Sequence, residues 1–138
     1  MFRFHHVALS VSDTERSKRF YAALGFRAVL TWVSDSYDLI ITHLKLGEII
    51  LELFCYTEHK KNDDRTLEGD LHEVGVKHFG LKVDSIEEAK RRVVEAGLAG
   101  EENIYIKSGR TGITYFFIKD PDGNFVEILE DKRIFELT

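Results

Sequence analysis

Apolar and polar residues alternate along residues 4–11 with the period of two that a half-buried β-strand demands. The period then changes. Ser17, Phe20, Tyr21 and Leu24 recur at helical spacing behind the capping stretch Ser12-Asp13-Thr14, and Gly25 stands where a helix terminus favours glycine. Three more strands are predicted over residues 26–33, 37–46 and 48–55, with Ser34-Asp35-Ser36 and Gly47 in the turns between them. The second half runs in the same order. A strand at 76–83 precedes a helix at 85–96 closed by Gly97, and strands follow near 103–107, 112–119 and 125–130. Asp120-Pro121-Asp122-Gly123 makes the last turn, its proline pre-set for the bend and its glycine free to take positive φ. Each half therefore reads β-α-β-β-β, an α+β pattern.

The two halves are copies of one module. At an offset of 72, seven of the 21 positions from 6 to 26 are identical, among them His6/His78, Leu9/Leu81, Val11/Val83 and Gly25/Gly97. A second match, at an offset of 75, sets Ile50-Leu51-Glu52-Leu53-Phe54 over Phe125-Val126-Glu127-Ile128-Leu129. The repeats span about residues 1–57 and 75–131. Residues 56–74 join them, rich in charge and without period, and read as an exposed linker or flap within a single domain of 138 residues.

Composition narrows the classes of function. Apolar residues at 43 % and charged residues at 31 % describe a globular chain with a sizeable core. No apolar run approaches the roughly 20 residues of a membrane-spanning helix, and the amino terminus lacks the apolar stretch of a secretory signal. A net charge of −5 offers nucleic acid no electrostatic footing. One cysteine, Cys55, fits a reducing cytoplasm. The expected partner is a small-molecule substrate, with neither nucleic acid nor membrane.

The duplication places a histidine on the first strand of each half and a glutamate on the last: His6 and His78, Glu52 and Glu127. Each glutamate sits in a strand that is apolar on both faces. Burying an ionised carboxylate is costly unless it is paired or bound to a cation. Taken singly, a strand histidine is usually a hydrogen-bonded structural residue, and a strand glutamate often faces water. Matched placement in two copies favours a metal site. Two imidazoles and two carboxylates suit one divalent ion among Zn, Ni, Co, Mn and Fe(II).

The stretches HHVALSVSDTERSKRFYAALGF, LGEIILELF, VKHFGLKVDSIEEAKRRVVEAG and FIKDPDGNFVEIL resemble the vicinal oxygen chelate superfamily. That superfamily includes glyoxalase I, extradiol dioxygenases, methylmalonyl-CoA epimerase, and fosfomycin- and bleomycin-resistance proteins. The resemblance covers most of residues 4–131. It implies two tandem βαβββ modules forming a curved, mostly antiparallel sheet around a metal-binding cavity, commonly in a homodimer. It also implies His6, Glu52, His78 and Glu127 as the metal ligands, because members similar to glyoxalase I carry His, Glu, His and Glu there. Glu52 discriminates, since epimerases typically carry glutamine at that place and dioxygenases use only the other three. Two positions depart from glyoxalase I. Ser10 stands where an arginine helps hold a glutathione carboxylate, and Tyr56 stands where an asparagine is usual, which counts against glutathione as the substrate. Lys107 matches a basic loop position that meets anionic substrates in the family, although a loop lysine is more often simply solvated.

The expectation is a metal-dependent lyase, lactoylglutathione lyase-like, or an isomerase, acting on a substrate with adjacent oxygens. The route is α-proton abstraction with a metal-stabilised enediolate, Glu127 or Glu52 serving as general base. A binding or resistance protein of the same fold without chemistry is the alternative, as is an Fe(II) dioxygenase. His43 and His72 have no counterpart in the other half and read as surface or hydrogen-bonded residues, and His59, among Lys60 and Lys61, reads as facing solvent. His5 points to the opposite strand face from His6. Trp32, Tyr37, Tyr115 and Phe117 read as core or cavity wall.

Overall fold

A computed structural model describes residues 1–62 and 64–135. Asp63, in the joining stretch, and residues 136–138, at the end of the predicted single domain, lie outside them. The chain divides into two compact units, Met1–Asp64 with Pro121–Gly123, and Arg65–Asp120 with Asn124–Thr138.

In the first unit the order is β1 (His6–Ser10), α1 (Thr14–Ala23), β2 (Arg27–Val33), β3 (Leu39–Leu46) and β4 (Ile49–Tyr56). The sheet order is β1-β4-β3-β2, with β1 parallel to β4 and the other pairs antiparallel. The parallel pair needs a crossover, which α1, β2 and β3 supply. Asp13 caps α1 by accepting the Arg16 backbone N–H at 2.9 Å, as the Ser-Asp-Thr stretch predicts. The Asp122 carboxylate accepts the Ser12 backbone N–H at 3.0 Å and an Arg16 guanidinium N–H at 3.2 Å, so the DPDG turn also braces this helix start. Gly25 follows the helix at φ 101°, a conformation that strains any residue with a Cβ. Tyr21 is fully buried and meets Phe20 and Phe26 edge-on, and Leu44, Leu51 and Leu53 complete the core.

The second unit holds α2 (Leu67–His72), β5 (His78–Lys82), α3 (Ile86–Glu95), β6 (Lys107–Ser108), β7 (Thr114–Lys119) and β8 (Phe125–Glu130). Its sheet order is β5-β8-β7-β6, again with a parallel pair, β5 and β8, and antiparallel pairs beyond. Ile86, Ala89 and Val93 of α3 are buried, as are Phe116, Ile118, Val126 and Ile128 of the sheet. Glu130 at the end of β8 accepts the Ile86 backbone N–H at 2.9 Å, tying the last strand to the start of the helix. Gly97 takes φ 70° at the position equivalent to Gly25.

Three expectations differ from the structure. Residues 101–103 form a 3₁₀ turn, and the strand predicted at 103–107 is instead the two-residue β6, because the Glu-Glu-Asn run closes locally with Asn103 N–H donating to Gly100 O. The joining stretch contains α2, capped by Thr66, which is too short for its period to register against the surrounding charge. Trp32 and Tyr37 are exposed rather than core. β2 is an edge strand whose seven residues are all exposed, and a bulge between Ala28 and Leu30 interrupts its alternation.

Removing the α1 cap with Asp13→Ala should cost about 1 kcal/mol, seen as a lower urea midpoint at unchanged slope. Part of the acid sensitivity should come from the end of the last strand. The Arg133 guanidinium, helped by the Arg133 backbone N–H, pulls the Asp131 carboxyl from its ordinary 3.8 down to about 2. Lys132 and then the Ile86 N–H lower Glu130 in the same direction. A depressed folded-state pKa gives stability that is complete above the unfolded-state value and is lost as pH falls through the folded one. Thermal midpoints should therefore fall between about pH 5 and 2, and less steeply in Asp131→Asn.

Candidate functional site

In the first module, register gathers two candidate ligands and a third polar side chain on one face. β1 pairs with β4 so that Ala8 lies opposite Glu52, with His6 two residues away on the same face of its strand. On the other flank of β4, His43 of β3 lies directly opposite Glu52. The Glu52 carboxylate divides between the two imidazoles, Oε1 at 3.8 Å from His6 Nε2 and Oε2 at 2.6 Å from His43 Nε2. Its side chain is 19 % exposed, against 43 % for His6 and 24 % for His43. His5 lies ahead of the regular strand, so strict alternation does not bind it, and its Nδ1 meets His6 Nδ1 at 2.9 Å.

The second module repeats the arrangement with two changes. Gly80 occupies the place of Ala8, opposite Glu127, and His78 Nε2 stands 3.2 Å from Glu127 Oε2. A Cβ at Gly80 would come within 2.8 Å of Leu129 Cδ2, so glycine here makes room for the end of the Leu129 side chain, and it would only touch Glu127 Oε2 at 3.5 Å. Opposite Glu127 on β7 is Phe117, in the position that His43 fills in the first module. The Phe117 ring meets the His78 ring edge-on at 4.8 Å, and His78 Nδ1 is buried without a hydrogen-bond partner.

Each module thus brings one imidazole Nε2 and one carboxylate oxygen together on one face of its own sheet. Ligand atoms about 2.1 Å from one ion stand about 3.0–3.4 Å apart. The His78–Glu127 separation lies in that range, and the His6–Glu52 separation is wider, with His6 the more exposed partner. Imidazole and carboxylate are donors suited to a borderline divalent ion. Among the described residues, no group of three or more His, Cys, Asp or Glu side chains is gathered as a metal site. Lys107 stands exposed on the edge strand β6, with β7 between it and the strand of Glu127. Cys55 is half-buried and free, and His59 Nδ1 lies 3.0 Å from the Tyr56 carbonyl oxygen.

His43 is the residue that periodicity alone passed over as a candidate for the site. A signal for it existed. The β3–β4 hairpin turns through two residues, Gly47 and Glu48, with Leu46 opposite Ile49, and counting outward from that turn brings position 43 opposite 52.

A family model for the Glyoxalase/Bleomycin resistance protein/Dioxygenase superfamily matches residues 3–128. The chain belongs to this superfamily. Among relatives, it is 29 % identical over 129 residues to the uncharacterized protein YwkD of Bacillus subtilis (strain 168), covering 91 % of this chain and 94 % of that protein. It is also 29 % identical over 136 residues to a lactoylglutathione lyase of Escherichia coli O157:H7, covering 94 % and 93 %. The crystal structure of a glyoxalase family protein from Enterococcus faecalis superposes with a TM-score of 0.76 at 28 % identity, covering 93 % of this chain and 97 % of that one. The glyoxalase-superfamily fold that the resemblance implied is thereby established, as two α+β modules each with its own mixed four-stranded sheet. Among the described residues, no helix is long and apolar enough to cross a membrane.

The room beside Glu127 can be tested directly. Gly80→Ala should fold with little loss, because the end of the Leu129 side chain can swing aside. Gly80→Val should overpack and lower stability by about 1–3 kcal/mol, measured by urea denaturation.

Proposed function

We propose that this glyoxalase-superfamily chain is a metal-dependent lyase or isomerase that moves a proton between adjacent carbons of a small oxygenated substrate. The observation that supports it most is the repeated imidazole–carboxylate pair, His6 with Glu52 and His78 with Glu127, on equivalent strands of both modules. The four side chains would together hold one divalent ion, Zn, Ni, Co, Mn or Fe(II), the two pairs being supplied by modules of one chain or of two in a homodimer. When bound, the ion supplies Lewis acidity that makes a proton next to a carbonyl easier to remove.

The protein's own groups then do the proton work. A carboxylate on each module suits removal of a proton from one carbon and its return to the neighbour. Glu127, 13 % exposed between buried Val126 and Ile128, is the first candidate base, with Glu52 as its counterpart. His6 and His78 anchor. The lactoylglutathione lyase relatives favour a lyase, and a thiol adduct is one candidate substrate. Ser10, where glyoxalase I carries an arginine that helps hold glutathione, and Tyr56, where it usually carries an asparagine, favour a different thiol or a small oxygenated metabolite. Lys107 is a candidate contact for an anionic group. Charge, composition and the single cysteine favour the cytoplasm as its place of action.

Elemental analysis of the purified protein should find about one transition metal per site, lost in His78→Ala. Glu127→Gln and Glu52→Gln should lower kcat by about 10²–10⁴-fold while the variants stay folded by circular dichroism. Wild-type protein that takes up none of the five metals would sink the enzyme and leave a small-molecule binder of the same fold.

A further inference from the structure

The two modules treat their glutamates differently. Glu127 faces a phenylalanine across the β7–β8 ladder, whereas Glu52 faces a histidine across the β3–β4 ladder. The His43 Nε2 to Glu52 Oε2 distance of 2.6 Å is the shortest contact that either glutamate makes to an imidazole. An ionised carboxylate can only accept, so Nε2 carries the proton and donates it into the hydrogen bond. Both side chains are largely withdrawn from water, at 24 % and 19 % exposure, which strengthens the bond and fixes its geometry. The bond occupies Oε2 and turns Oε1 toward His6.

We propose that His43 is a positioning residue that holds the Glu52 carboxylate so that Oε1, paired with His6, is presented to a divalent cation. This inference rests on the metal-binding reading above and gives His43 a role that the duplication alone does not suggest. A carboxylate on an unbranched side chain has several rotamers, and each must be excluded before a ligand atom is in place. A donor on the adjacent strand excludes most of them in advance. Support of this kind behind a ligand is worth about 10–100-fold in metal affinity. The first module needs it more than the second. His78 is pressed against the Phe117 ring and lies 3.2 Å from Glu127, while His6 is the most exposed of the four and lies 3.8 Å from its glutamate.

Two variants of the full chain test the role. His43→Phe copies the residue that the second module carries at this position and removes the donor. His43→Gln keeps an N–H near the place of Nε2 but is a poor metal ligand. Each is titrated with Zn²⁺ alone, and separately with Ni²⁺ alone, against a chromophoric chelator, and folding of the metal-free proteins is checked by circular dichroism. The expected result is affinity lowered by about 10–100-fold in His43→Phe and restored to within a few-fold of wild type in His43→Gln. Equal affinity in wild type and His43→Phe overturns the inference alone. Equal loss in both variants also overturns it, by making the imidazole itself a ligand. Wild type that binds neither ion overturns the metal-binding reading and this inference with it.

Discussion

A carboxylate in the middle of a strand that is apolar on both faces is the constraint on which the site depends. Glu52 is flanked by buried Leu51 and Leu53, and Glu127 by buried Val126 and Ile128. Neither can turn its charge away without breaking the alternation that seats its strand in the core. The charge must be met where it stands, and in both modules an imidazole from the neighbouring parallel strand meets it. The same apolar neighbours that make each carboxylate costly also fix its backbone in the strand. Core packing and site geometry are therefore one problem, solved twice by the same strand arrangement.

The parallel pairing of first and last strands makes the solution possible. In a βαβββ unit the helix and two strands carry the chain away and back, so the last strand lies beside the first with a register set by the core residues of both. That register places Ala8 beside Glu52 and Gly80 beside Glu127. The residue there is small in both modules, and at Gly80 a Cβ would meet the Leu129 side chain at 2.8 Å while reaching only ordinary contact, 3.5 Å, with the carboxylate. Capping by Asp13 and Ser85, and the left-handed Gly25 and Gly97, fix where each helix begins and ends, and hence where the chain re-enters the sheet.

Duplication preserved the scaffold and let the surroundings of the two glutamates diverge. His43 against Phe117 is the clearest divergence, a donor on one side and an aromatic edge on the other. The modules also differ at the opposite end of their sheets. β2 has seven exposed residues, while β6 is cut to two by the 3₁₀ turn that precedes it. Core positions within each module constrain one another through packing, whereas edge strands and cross-strand neighbours of the glutamates are constrained only locally.

Local signals in the chain carried most of the fold. Period-two runs, helical spacing, caps and glycines located β8 as predicted and the other main elements within a few residues, because those features act over one element at a time. The repeat carried the four candidate ligands, since equivalent positions in two modules must share a strand and a face. Three things were beyond such signals. Trp32 and Tyr37 look like core residues in sequence but are exposed, because an edge position and a bulge are properties of the sheet and not of the strand. The helix at 67–72 has too few turns to show a period. The meeting of His43 with Glu52 depends on hairpin register, which follows from a two-residue turn and is expressed only when the strands pair. Residue type and period are written locally, and the sequence by itself determined them. Which polar group faces which, and at what distance, is a pairing property, and only the tertiary structure decided it.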